Sequence, residues 1–181
     1  MSQDNKTVFG ENTRAACLVK PDERIHKVEG LEDRDQAFEI KGLAGEVKKI
    51  IEKAGLGLKI VDKSQLQPTI IFAEILFAKY RGTSYFQKLI DQVTKGEIVA
   101  LLVEGENAPQ KLWELAGPED PAEARIQAPK SIRALLACVD ESAERACTED
   151  RAVDDVVYVA NPYREGDVEG LGVSFFPEQF T

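Results

Sequence analysis

Residues Arg14 to Asp22 read RAACLVKPD. The run RAACLV is short and apolar, and it stops at Lys20-Pro21-Asp22. That is a strand followed by a turn, because Pro21 lacks a backbone donor and Asp22 favours turn backbone. Working outward, Leu43 to Ala54 places Leu43, Val47, Ile50 and Ile51 on one helix face, with Gly55 as C-cap. Leu58 to Val61 reads as a second strand, and Ile70 to Tyr80 and Tyr85 to Thr94 read as helices split by Arg81-Gly82. Glu97 to Val103, EIVALLV, is a third strand closed by Glu104-Gly105. Pro109 to Ala116 is a helix ended by Gly117-Pro118, Asp120 to Lys130 is loop-like, and Ser131 to Ala137 suits helix or strand.

Two stretches break the pattern. Glu23 to Gly42 is densely charged with little periodicity, so a loop or a short added helix. Cys138 to Asp154 is acidic and reads as a solvated insertion before a last strand at Val156. That strand opens DVVYVANP, Asp155 to Pro162. Val156 and Val157 end a short buried strand, Asn161-Pro162 sets a turn, and Tyr158 stands where one gives way to the other. The expected class is α+β: a ferredoxin-like βαββαβ core, its antiparallel sheet covered by helices on one face, with extra helices. Residues 1–181 form one domain with insertions near 23–42 and 138–154.

Composition narrows the function. With 43% hydrophobic and 30% charged residues the chain reads as an ordinary globular protein, large enough for a substantial core. A formal net charge of −9 argues against nucleic acid or an anionic membrane as a general partner. No apolar run reaches transmembrane length, and the opening MSQDNKTVFGENTR has no signal-peptide character, so a cytoplasmic protein is expected. Cys17, Cys138 and Cys147 lack C-x-x-C spacing, so no metal site is expected, and Cys17 belongs to the core.

Several stretches together resemble the nucleoside diphosphate kinase family: CLVKPD (Cys17–Asp22), GEVKKIIEKAG (Gly45–Gly55), Lys79-Tyr80, Tyr85-Phe86 through Gly96, and IVALLVEG (Ile98–Gly105). Gly117 with Pro121-Ala122, Ser131-Ile132-Arg133 and Phe175-Phe176-Pro177-Glu178 continue the series. The likeness spans nearly the whole chain outside 23–42 and 138–153, and it rests on order and spacing rather than on one motif. It implies transfer of a terminal phosphate from a nucleoside triphosphate to a diphosphate through a phosphohistidine in an N-x-x-H-G-S-D-like segment. The matching segment is DVVYVANP, which puts Tyr158 at the nucleophile and Val159, Ala160 and Asn161 in place of the glycine, serine and aspartate.

A neutral imidazole attacks without losing a proton at pH 7, whereas a phenol of pKa near 10 needs an adjacent base. Phosphotyrosine is also the more stable ester, so passing its phosphate to a diphosphate is uphill. Read as packing, Tyr158 is a partly buried side chain with a hydrogen-bonded hydroxyl. The resemblance places Lys20 and Arg133 on phosphate, Tyr80 beside the site and Tyr85 on the base. It also puts Asp155 where an asparagine meets the ribose, Trp113 where a phosphate-binding arginine is expected, and Glu119 where a threonine contacts phosphate. Three functions follow: a catalytically silent binding or assembly module, a nucleotide sensor with Tyr85 as stacking platform, and an active enzyme. The enzyme would be a phosphotransferase using the sole histidine, His26, as acceptor, or a hydrolase in the altered cleft. The ligand implied is a nucleoside di- or triphosphate carrying Mg²⁺, and the assembly implied is a homo-oligomer.

Overall fold

The computed structural model describes residues 12–21, 42–136 and 156–180. The segments read as insertions, together with His26, Asp155, Cys138 and Cys147, lie outside the described residues, apart from Gly42, the first residue of a helix.

Four strands, β1 (Asn12–Val19), β2 (Lys59–Leu66), β3 (Ile98–Glu106) and β4 (Val157–Val159), form one sheet in the order β2-β3-β1-β4. Every neighbouring pair is antiparallel. Helix α1 (Gly42–Lys53) connects β1 to β2, and α4 (Ala108–Ala116) opens the connection from β3 to β4. These six elements are the ferredoxin-like core. Between β2 and β3 the chain inserts α2 (Ile70–Leu76), a 3-10 turn (Ala78–Tyr80) and α3 (Phe86–Thr94). After α4 come α5 (Pro121–Gln127) and α6 (Ile132–Leu136), and β4 is followed by α7 (Asp167–Phe175) and a 3-10 turn (Pro177–Gln179).

Helices cover both faces of the sheet, not one as expected. Ala15, Cys17 and Val19 of β1 pack with Leu43, Val47 and Ile51 of α1 and Ala108 and Leu112 of α4. Ala16 and Leu18 point the other way, into Phe77, Leu89, Val93, Leu171 and Phe175. Strand residues of both parities are therefore buried, which is why β1 and β3 read as unbroken apolar runs rather than alternating ones. Cys17 is fully buried, as its setting in RAACLV implied.

Several readings shift: β1 starts at Asn12, and the helix read over Ile70 to Tyr80 stops at Leu76 before a 3-10 turn. β3 continues through Glu104-Gly105 because Glu104 faces Arg14 in β1 and Lys59 in β2. Its carboxylate meets Arg14 Nε at 2.8 Å and Lys59 Nζ at 3.6 Å, and the Arg14 guanidinium holds its pKa below the ordinary value. β2 runs on to Leu66, past a bulge between Ile60 and Asp62; as an edge strand, half-buried, it tolerates the polar residues DKSQ. Residues 121–127, read as loop, are helical: Asp120 caps the helix by accepting from the Ala122 amide at 3.0 Å, and Pro121 takes the first helical position. Ser131 to Ala137 resolves as helix over Ile132–Leu136.

Candidate functional site

Tyr158 lies inside β4 and not at its end. It pairs with Leu18 between Cys17↔Val159 and Val19↔Val157. On the α2–α3–α7 face its ring meets Phe77 edge-on, centroids 5.3 Å apart at 71°. Phe77 ends α2, so the turn after it delivers Lys79 and Tyr80 to the same place. The Lys79 ammonium stands 4.9 Å from the ring centroid of Tyr80 and 4.9 Å from that of Tyr158. Across the cleft, Lys79 Nζ donates to Glu119 Oε1 at 3.4 Å. Tyr85, the residue preceding α3, touches Tyr80 with centroids 5.9 Å apart. The geometry thus brings together Tyr158, Tyr80, Tyr85 and Glu119, and adds Lys79 and Phe77, to which sequence reasoning gave no role.

The two cations that the resemblance placed on phosphate bond to the segments leading to Tyr158 and to Glu119. Lys20, only 5% exposed, leaves β1 with its amide donating to the Val156 carbonyl at 3.0 Å, two residues before Tyr158. Arg133, 2% exposed, donates from Nη1 to the Gly117 carbonyl at 2.6 Å, two residues before Glu119. Gly117 has φ 84° and ψ −177°, a backbone conformation essentially confined to glycine. A Cβ there would lie 2.5 Å from Ser131 Oγ. The loop carrying Glu119 is therefore pinned to α6 at Gly117. Trp113 packs against the core on the α1–α4 side. Asp155 and His26 fall outside the described residues.

The Tyr158 hydroxyl makes no hydrogen bond to a described residue, so its expected hydrogen-bonded partner is not found there. Burial pushes its pKa from 10.0 up to about 12; Asp167 and Glu119 push the same way and Arg164 opposes them. Between pH 10 and 12 the unfolded chain releases this proton while the folded chain keeps it. Below that window the two states bind the proton equally, so stability contributed by the neutral phenol is lost as pH rises through it. We expect spectrophotometric titration to find one tyrosine ionising near pH 12, missing in Tyr158→Phe. A full set of ordinary tyrosine titrations would contradict the raised phenol.

The antiparallel core is one that known proteins share. The sequence model of the nucleoside diphosphate kinase family matches residues 38–149, ending before β4. The chain belongs to that family. Among curated relatives, a nucleoside diphosphate kinase of Dehalococcoides mccartyi is 38% identical over 84 residues, 46% of this chain and 58% of that one. One from Saccharolobus islandicus is 36% identical over 84 residues, 46% of this chain and 59% of that one. The chain thus spans 58–59% of the length of these curated relatives. Among solved structures, the Aquifex aeolicus nucleoside diphosphate kinase superposes with a TM-score of 0.66 at 20% identity, covering 94% of this chain and 100% of that one. The Halobacterium salinarum enzyme in complex with CDP gives 0.65 at 21% identity, covering 94% and 92%. At those identities the likeness is one of fold.

Proposed function

We propose that this protein is a catalytically silent nucleoside diphosphate kinase homologue that binds a nucleoside di- or triphosphate without turning it over. The observation that carries the reading is the setting of Tyr158, a partly buried phenol with its pKa raised; the reading takes it as standing where DVVYVANP aligns with the family's nucleophile. A phenol so placed makes no hydrogen bond to a described base that would take its proton, and in this reading it does not attack phosphorus at neutral pH. In this reading Tyr85 and Tyr80 offer ring faces to the base, and Lys20 and Arg133 serve the phosphates. Asp155 serves the ribose end. Among the described residues no group of three or more His, Cys, Asp or Glu is arranged to hold a metal. Magnesium would arrive with the nucleotide and offset its phosphate charge.

The reading includes a cytoplasmic setting and a homo-oligomer, with neither nucleic acid nor membrane as partner. No helix among the described residues is long and apolar enough to cross a membrane. Assembly draws support from α2, whose Ile70, Ile71 and Ile75 are exposed side by side.

Thermal shift of the full chain with MgADP tests binding. A ligand held at a hundred times its Kd and bound only by the folded state stabilises by about 2.7 kcal/mol, so a clear rise in melting temperature is expected. No shift at millimolar MgADP would leave assembly as the surviving role, and sedimentation showing a monomer would remove that too.

A further inference from the structure

Lys79 and Glu119 form a contact that spans the cluster, joining the turn after α2 to the loop after α4. The ammonium has three donors, and its side chain is 30% exposed. Two tyrosine rings flank it at equal distance, holding the charge by cation–π attraction while leaving its donors for an anion. The anion it meets is the carboxylate of Glu119, itself 53% exposed on a loop whose base is pinned at Gly117 by Arg133. A compact ammonium on a flexible stem suits a phosphate oxygen as well as a carboxylate. The difference is charge: a carboxylate brings one negative charge, a terminal phosphate up to two.

We propose that Lys79 is a polyphosphate-gripping cation of this cleft and that Glu119 is its built-in competitor, so that a ligand must carry enough negative charge to take Lys79 from Glu119. This rests on the nucleotide-binding reading above. The pair makes the site a filter on phosphate charge: adenosine lacks the group that displaces Glu119, and ADP or inorganic pyrophosphate has it. Asp167, which like Glu119 acts on Tyr158 electrostatically, adds to the negative field a ligand must overcome, and Arg164 relieves it. Binding frees the Glu119 loop and fills the space beside the Tyr158 ring with phosphate.

Isothermal titration of the full chain with MgADP, inorganic pyrophosphate and adenosine tests this on wild type, Glu119→Gln, Lys79→Met and the double variant. Both side chains are partly exposed, and unchanged melting temperatures without ligand verify the folds. Glu119→Gln is expected to bind MgADP and pyrophosphate about fivefold tighter, the factor set by the upper range of an exposed ion pair, with adenosine unaffected. Lys79→Met is expected to weaken both by roughly tenfold. The double variant is expected to bind no more tightly than Lys79→Met. If Glu119→Gln tightens binding equally with and without Lys79, Glu119 acts by diffuse repulsion and the competition is wrong. If ADP binds and neither substitution changes its Kd, the filter fails while nucleotide binding stands. If none of the four proteins binds ADP or pyrophosphate, the nucleotide reading fails and takes this proposal with it.

Discussion

Mixed with ATP and GDP, the purified full chain is expected to form GTP no faster than the same mixture without protein. With a pKa of about 12, Tyr158 carries its negative charge in about one molecule in 10⁵ at pH 7. Burial keeps it so, and the two carboxylates nearby, Asp167 and Glu119, deepen the deficit. Arg164 opposes them as a smaller influence. Were a phosphate nevertheless to reach the phenolic oxygen, the ester formed would be too stable to hand it to a second diphosphate. On the proposed reading both halves of a ping-pong cycle would fail, for separate reasons. Turnover is measured by separating the nucleotides after incubation, with His26→Ala as a parallel sample. Brisk GTP formation that survives removal of contaminating enzymes would contradict the expectation, and its loss in His26→Ala would identify the acceptor.

Phe77→Ala is expected to be the most damaging single substitution around the site. Phe77 is 1% exposed, caps α2 through its amide and lays its ring against both Tyr158 and Tyr80. Truncating a buried phenylalanine costs about 3–5 kcal/mol, the lost transfer energy plus a cavity. At about 2–4 °C per kcal/mol for a chain of this size, the melting temperature should fall by roughly 6–20 °C. The same cavity lies directly under the ring that helps hold Lys79, so the cleft should loosen with the core. A fall of less than about 3 °C would mean that the α2–α3 layer repacks around the gap.

How far the sequence reaches is clearest where elements bury one continuous surface. β1, α1, α3, α4 and the heart of β3 were legible because RAACLV, EIVALLV and the helical spacing of Val47 and Ile51 report burial directly. The two-faced cover was legible in principle: a strand buried on both sides reads as a continuous apolar run, and IVALLV is one. α5 was missed although Asp120-Pro121 is a start signal, since its apolar content is too small for periodicity to show. The far half of β2 and the end of β3 were hidden by polar residues whose partners sit across the sheet, as Glu104 finds Arg14. Of the site, the tyrosines and Lys20 and Arg133 could be named from the resemblance. The Lys79–Glu119 contact joins residues 40 positions apart, and nothing local in either residue announces it.

The central claim is that the family's phosphate carrier is absent at β4. The most direct measurement is to incubate the full chain with γ-labelled ATP and magnesium, quench, and divide the protein-bound label into acid-labile and acid-stable fractions. The expected result is no label in either fraction, for the wild-type chain and for His26→Ala alike. Near-stoichiometric acid-labile label on the wild-type protein would show a phosphohistidine after all, and the silent-homologue account would be wrong.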